Sequence, residues 1–374
     1  MWIKSELFAA GGHTEQELAV LAEVVARFGE ASEPKPRLAV ARALLNRGIR
    51  LREMGRSEEA IGVWAQLISR FGEDPPPQEP LIALDALYDQ SYTLGQLDRF
   101  EEAIALCDKL TDRYGHEDAL HARVKVADAI GAKSSFLGLT GRPEEELATL
   151  DQLLARFGNA PEPALGQRVL QASLVKISRL LEQQRADDAT AISDTLLAQF
   201  EREHDPTALT ELGEVLLTAA TILHRHHRFD SALGIDRTLA ARLRDSTEPA
   251  HRKLFVHAQL NTGACLSRLG RKAEAQALYE TLLTLDEHAI PALDEIAQRA
   301  DHQAQPEMRG QHALALMAQA AILGGLQRRH EALDVINDLI ERFGNEDPET
   351  IPGLAAMARQ ARQELLANEP NVGL

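Results

Sequence analysis

Aromatic side chains make up only 4% of this 374-residue chain, and cysteine occurs twice, as Cys107 and Cys265. Two thiols several repeat lengths apart give neither a disulfide framework nor the paired spacing of a zinc site, which fits a reducing compartment. No apolar run is long enough to span a bilayer, and the opening MWIKSELFAAGG has one lysine and no apolar stretch of signal-peptide length. A cytoplasmic protein is the expectation. Lysine is far scarcer than arginine, and the formal charge is −17 with a pI near 5.3. So acidic a chain repels phosphate backbones, and with no basic cluster in view neither nucleic acid nor a membrane is expected as a partner. A Gly-Lys-Ser phosphate loop, a dinucleotide glycine fingerprint and a nucleophile elbow are missing as well. The chain therefore reads as no enzyme, with no cofactor and no catalytic residues.

What remains is rich in Ala and Leu and sparing of Val, Ile and Thr. Straight side chains and alanine lose little entropy in a helix, so the composition is that of an all-α protein. The length exceeds one ordinary compact core and asks for several domains or one repeat array. The array is visible. Arg27-Phe28-Gly29, Arg70-Phe71-Gly72, Arg113-Tyr114-Gly115 and Arg156-Phe157-Gly158 follow one another at 43 residues, and the step continues onto Gln199-Phe200 and Arg242-Leu243. Arg56, Arg99, Arg142, Arg185, Arg228 and Arg271 keep the same 43-residue beat, which Arg328 resumes after a 14-residue insertion.

Each unit reads as two helices. In the unit around Ala41 to Phe71, a first helix carries Leu44, Gly48 and Leu51, a turn follows at Met54-Gly55-Arg56, and a second helix carries Ala60, Ile61, Trp64, Leu67 and Ile68. Ser57, or Pro143 in the same slot, begins the second helix, and acids crowd its first turn at Glu58-Glu59, Glu101-Glu102 and Glu144-Glu145. At the other end Gly72 is expected to take the left-handed cap conformation, with Pro75 to Pro77 forbidding continuation. Thr14 and Glu17 form a capping box. The recurring arginine after each first helix is expected to bond that helix's free carbonyls and to pair with the acids two or three residues on.

The spacing of Gly48, Leu51, Gly55, Ala60, Trp64 and Leu67, and again of Gly263, Leu266, Gly270, Ala275, Tyr279 and Leu282, resembles the tetratricopeptide repeat. Small residues there let two helices cross closely, and Ser91, Ser134, Ala220 and Ala320 continue that series against Ala103, Ala189, Ala232 and Ala332. Ile177 and Glu146 depart from the pattern, and the unit exceeds the family's usual length of about 34 residues, an excess that a longer first helix accounts for. The resemblance implies a right-handed α-solenoid over 1–374: a truncated first repeat at 1–29, with Ser5, Phe8 and Gly12 in register, then six repeats at 30–287. An inserted helix at 288–305 follows, then a last full repeat at 306–344. Residues 345–374 supply a capping helix and tail, with Leu354, Met357, Ala361 and Leu365 turned inward and Arg359, Gln360 and Gln363 offered to water.

In that family the first helices line the concave surface, and its binding positions map here onto Arg42, Asn46, Ile49, Arg52, Asp85, Tyr88, Asp89 and Tyr92, with Leu45 and Gln96 beside them. Tyr88 and Tyr92 stand one turn apart and can both face a groove. The family's clamp for a C-terminal carboxylate is not predicted, because Asp89 intrudes among the matching Asn46 and Asn261. His224 and His227 could share a face as metal ligands, but no third ligand is in view and the expectation is no metal. The partner class that follows is a protein or peptide held on the concave face of a non-catalytic scaffold. The alternatives are a ligand- or peptide-sensing regulatory module acting on a separate effector, and a homo-oligomer joined through the solenoid ends.

Overall fold

The computed structural model describes residues 14–282, 287–299, 306–344 and 354–367, and every regular element among them is helical. The helices are α1 (Thr14–Phe28), α2 (Pro34–Glu53), α3 (Ser57–Phe71), α4 (Ile82–Gln96), α5 (Phe100–Tyr114), α6 (Leu120–Leu139), α7 (Pro143–Phe157), α8 (Pro163–Glu182) and α9 (Ala186–Arg202). There follow α10 (Pro206–Arg225), α11 (Phe229–Leu243), α12 (Pro249–Arg268), α13 (Lys272–Leu282), α14 (Ile290–Arg299), α15 (Pro306–Gly325), α16 (Arg329–Phe343) and α17 (Leu354–Ala367). The chain forms two compact units, 1–176 and 177–374. In the first, α2/α3, α4/α5 and α6/α7 are antiparallel hairpins stacked in chain order, and α4 touches α2 on one side and α6 on the other. In the second, α10/α11, α12/α13 and α15/α16 stack likewise. This is an all-α solenoid of helical hairpins.

The 43-residue period has a plain origin. First helices such as α2 and α6 run 20 residues and second helices such as α3 and α7 run 15. Proline opens most first helices, at Pro34, Pro163, Pro206, Pro249 and Pro306. The first helical position has no intrahelical partner for its N–H, so proline's missing donor costs nothing there and its fixed φ favours the helix.

Between the helices of a hairpin the chain turns through a left-handed residue. Gly55, Gly141 and Gly270 have φ near +75° to +72°, and Asp98, Gln184, His227 and Gln327 hold the same slot at φ 58–62°. The following arginine closes the turn with its backbone N–H, as in Arg56 to the Leu51 carbonyl at 2.8 Å and Arg99 to Leu94 at 3.0 Å. That main-chain bond does the carbonyl capping expected of the arginine side chain, and frees the guanidinium. Arg99 grips Glu102 of its own second helix at 2.7 Å and Glu58 of the preceding hairpin at 3.0 Å. Arg56 and Arg142 repeat the double grip with Glu59 and Glu15, and with Glu145 and Glu101. At Arg56, Arg99, Arg142 and Arg228 the marker that repeats at 43 residues is thus a stitch between hairpins. Exposed ion pairs of this kind add little stability each and set the register.

The Arg-Phe-Gly series corrects one expectation. Gly72, Gly115 and Gly158 are right-handed, with φ between −57° and −61°. Their need for glycine is close approach: a Cβ on Gly72 would lie 2.3 Å from the Ile68 carbonyl oxygen. Where Glu201 stands in that slot, α9 runs on to Arg202.

The crossing residues behave as expected. Gly48, Ser91, Ser134, Ala220 and Gly263 are buried, as are Ala60, Ala103, Ala189 and Ala232 opposite. Glu17 does not serve as a capping-box acid, since its buried carboxylate meets Arg50 Nε of α2 at 3.0 Å. In α14 Leu293 and Ala297 are buried, so the apolar side of this inserted helix faces the stack formed with α12 and α15. In α17 the buried positions are Leu354 and Ala358, while Met357 is exposed, one position out from the stripe expected; Arg359, Gln360 and Gln363 are exposed. Residues 1–13, with the truncated repeat's Ser5, Phe8 and Gly12, lie outside the described residues. No helix of those described is long and apolar enough to cross a membrane.

Candidate functional site

One first helix of the first unit is shorter than its neighbours. Counting by the repeat, α4 would open at Pro77, yet it opens at Ile82 and has 15 residues. The cause is Pro80. Inside a first turn opened by Pro77 its ring would crowd the carbonyl one turn back and remove a donor, and it disfavours the helical region for Glu79 before it. The chain instead makes a turn, with Glu79 N–H on the Pro76 carbonyl at 2.9 Å, and Leu81 becomes the helix's N-cap without any side-chain cap.

The residues missing from the front of α4 leave a cleft of about 470 Å³ between α2, the 79–82 segment and the start of α6. Leu45, Pro80, Leu81 and Ile82 give it apolar walls, and Arg42, Asn46, Glu79, Asp85 and His121 give it polar ones. The volume falls in the range of natural ligand sites.

The charges around it are paired across neighbouring first helices. Arg42 holds Glu79 through Nε at 2.6 Å and through Nη2. Arg52 meets Asp89 at 3.1 Å, and Asp85 meets His121 Nε2 at 2.8 Å. Acidic α4 thus lies between two cationic neighbours, α2 and α6. Farther along, Asp128 of α6 takes Arg168 of α8 at 2.8 Å. Burial raises the Asp89 carboxyl above its ordinary pKa despite the opposing pull of Arg52 and Lys125.

Tyr88 and Tyr92 stack with centroids 6.5 Å apart and planes 20° apart. Lys125 Nζ lies 4.2 Å from the Tyr88 ring centre, a cation–π contact. Tyr88 is half-buried, and burial together with the Asp128 and Asp89 carboxylates pushes its hydroxyl up to about 12. Tyr92 is 44% exposed and offers its ring to solvent.

Of the residues expected to form a partner surface, Arg42, Asn46 and Asp85 line the cleft. Tyr88, Asp89 and Tyr92 continue along α4 from Asp85. Arg52 lies over the Trp64 ring at 5.7 Å as well as on Asp89, and Ile49 packs against the core of the α2/α3 hairpin. Glu79, Pro80, His121 and Lys125 were not singled out by sequence, although Pro80 inside a predicted first helix was the available signal. His224 and His227 both stand edge-on to Phe229, at 5.1 and 5.7 Å, and no group of three metal-grade ligands exists among the described residues. Cys107 and Cys265 are free and buried, and burial pushes their thiols up to about 11 and about 12.

Stacked helical hairpins with a small residue at most crossings, Ile177 excepted, place the chain among the α-solenoids. Within that class, residues 257–286 match the family model of the tetratricopeptide repeat, a stretch that takes in the second half of α12 and all of α13. Residues 257–286 thus carry a tetratricopeptide repeat. Among solved structures, the P58(IPK) TPR domain is similar at 14% identity, covering 98% of this chain and 98% of that one with a TM-score of 0.24, a likeness too loose to say anything of partners. No curated protein matches the sequence.

Proposed function

We propose that this protein is a non-catalytic scaffold that holds a peptide or helix of another protein on the concave face formed by its first helices, around the cleft at Pro80. The observation that carries the reading is the cleft itself. It sits where the repeat is broken, it is lined by residues that differ from repeat to repeat, and Arg42, Asn46 and Asp85 meet in it. Residues that recur, such as Arg56 and Arg99, are used up in joining hairpins. The ordinary use of tetratricopeptide arrays as protein-binding surfaces points the same way. Joining end to end is the weaker alternative, because α17 turns Arg359, Gln360 and Gln363 to water.

The test is capture from native extract by the wild type and by a variant with Asn46→Ala and Tyr92→Ala, both checked for unchanged helical circular dichroism. A partner retained by the wild type and lost by the variant is expected. Equal retention of every partner would place the surface elsewhere.

A further inference from the structure

The hairpin turns carry a pattern that the repeat itself does not dictate. In residues 53–59, 96–102 and 139–145, the turns of α2/α3, α4/α5 and α6/α7, acids outnumber bases by two, two and one. In residues 225–231, 268–274 and 325–331, the turns of α10/α11, α12/α13 and α15/α16, bases outnumber acids by one, two and one. The α8/α9 turn at residues 182–188 is still acidic, by two. The sign thus changes once along the chain. Helix dipoles favour bases at the end of every first helix and acids at the start of every second one, in both units alike, so they do not produce the change. The slot that ends the first helix shows this: Glu53 stands there in α2, against the dipole, while Arg225 and Arg268 stand there in α10 and α12.

Many of these charges are used within the chain, as Arg99 is on Glu58 and Glu102. Others are not. Asp98 and Glu144 in the first unit, and Arg225 and Arg268 in the second, are exposed and make no ion pair among the described residues. Each pair occupies two successive hairpin turns, so the two acids and the two bases alike stand one layer apart, about 10 Å for packed helices. Beside them Met54, Leu97 and Leu139 on the acidic turns and Leu326 on a basic one are 36%, 38%, 69% and 39% exposed. Apolar side chains with charge around them are the make-up of an association surface.

We propose that the turns are a homodimer surface: a second copy of this chain lies alongside in the opposite direction, so that the acidic turns of each first unit meet the basic turns of the partner's second unit. Asp98 then faces the partner's Arg268, Glu144 faces the partner's Arg225, and two-fold symmetry makes each pairing twice. The occupant is a copy because one chain encodes both halves of the match. A partner of a single sign would suit one unit and be repelled by the other. The first-helix face plays no part in this contact, which stands apart from the reading of that face given above.

The interface is narrow and its ion pairs are exposed, so the dimer is weak, half-formed at about 0.1 mM chain. The net charge of −17 supplies a control, since it repels a second copy whatever surface is used. Reversing two acids lowers that repulsion and would strengthen a dimer formed anywhere else.

The experiment is sedimentation equilibrium of the purified chain and of two charge-reversed forms, one with Asp98→Lys and Glu144→Lys, the other with Arg225→Glu and Arg268→Glu. None of the four substitutions breaks an ion pair seen within the chain. Each form alone is expected to dimerise at least about tenfold more weakly than the wild type, the acid-reversed one in spite of its lower net charge. An equimolar mixture of the two restores a dimer within about threefold of the wild type, because the reversed signs match again across copies. The neutral form with Asp98→Asn and Glu144→Gln weakens the dimer less than reversal does, and carries the test if a reversed form loses its helical circular dichroism. A wild type monomeric at about 1 mM, a dimer indifferent to these substitutions, or a mixture of folded forms no better than its components overturns the inference.

Discussion

Gly48 of α2 lies so close to Trp64 of α3 that a Cβ on the glycine would stand 2.2 Å from the indole Nε1. The crossing of the two helices is set by that contact, with Trp64 wholly buried and its N–H 3.4 Å from the Leu45 carbonyl. One methyl group at 48 has nowhere to go unless the indole moves, and overpacking a tight core of this kind costs about 1–3 kcal/mol. Gly48→Ala is therefore expected to lower stability in urea by that amount. Gly62→Ala is the control, since Gly62 lies in α3 with nothing within 4 Å of its missing Cβ; it should raise stability by about 0.5–1 kcal/mol through helix propensity.

The hairpin turns give an opposed pair of substitutions. Gly141 at φ +72° and Gln184 at φ 62° occupy the same slot. A left-handed backbone costs a residue with a side chain about 1–2 kcal/mol, and glycine loses about 0.5–1 kcal/mol of extra chain entropy instead. Gly141→Ala should lower the melting temperature, and Gln184→Gly should leave it unchanged or raise it slightly. Equal losses in both would show that the turn conformation is not what the slot selects.

Asp236 makes the second unit sensitive to pH. Its side chain is buried in α11, one oxygen is 3.4 Å from the Asn261 amide, and the other meets no donor among the described residues. Burial raises its carboxyl pKa well above 3.8, with Asn261 opposing weakly. The folded chain thus holds this proton more tightly than the unfolded chain does. The stability contributed by protonated Asp236 is complete below the unfolded value near 3.8 and is lost as pH rises through the higher folded value. Asp236→Asn removes that dependence. Acidification from neutral pH should therefore stabilise the wild type relative to the variant by on the order of 1–3 kcal/mol, read by denaturant melts at several pH values.

Much of this architecture was legible in the residues. The small positions at Gly48, Ser91 and Ala220 and the arginine beat announced hairpins because both are local geometric demands repeated at one spacing. The stitch from Arg99 back to Glu58 was not legible, since it joins residues 41 apart that meet only once hairpins stack. Gly72 was misjudged because a glycine at a helix end suits either a left-handed cap or a crowded right-handed one, and only the Ile68 carbonyl decides between them. The cleft was half visible: Asn46 and Tyr92 follow from register, while the opening depends on Pro80 delaying α4, a single-residue departure that repeat counting passes over.

The most direct measurement places a benzophenone photo-crosslinker at Tyr92 and, separately, at exposed Glu144 on the second-helix side, and irradiates native cells expressing each. The account predicts a discrete crosslinked partner from position 92, lost when Asn46→Ala is added, and none of it from position 144. The same partner crosslinking from 144 and not from 92, or from 92 with no effect of Asn46→Ala, would contradict it.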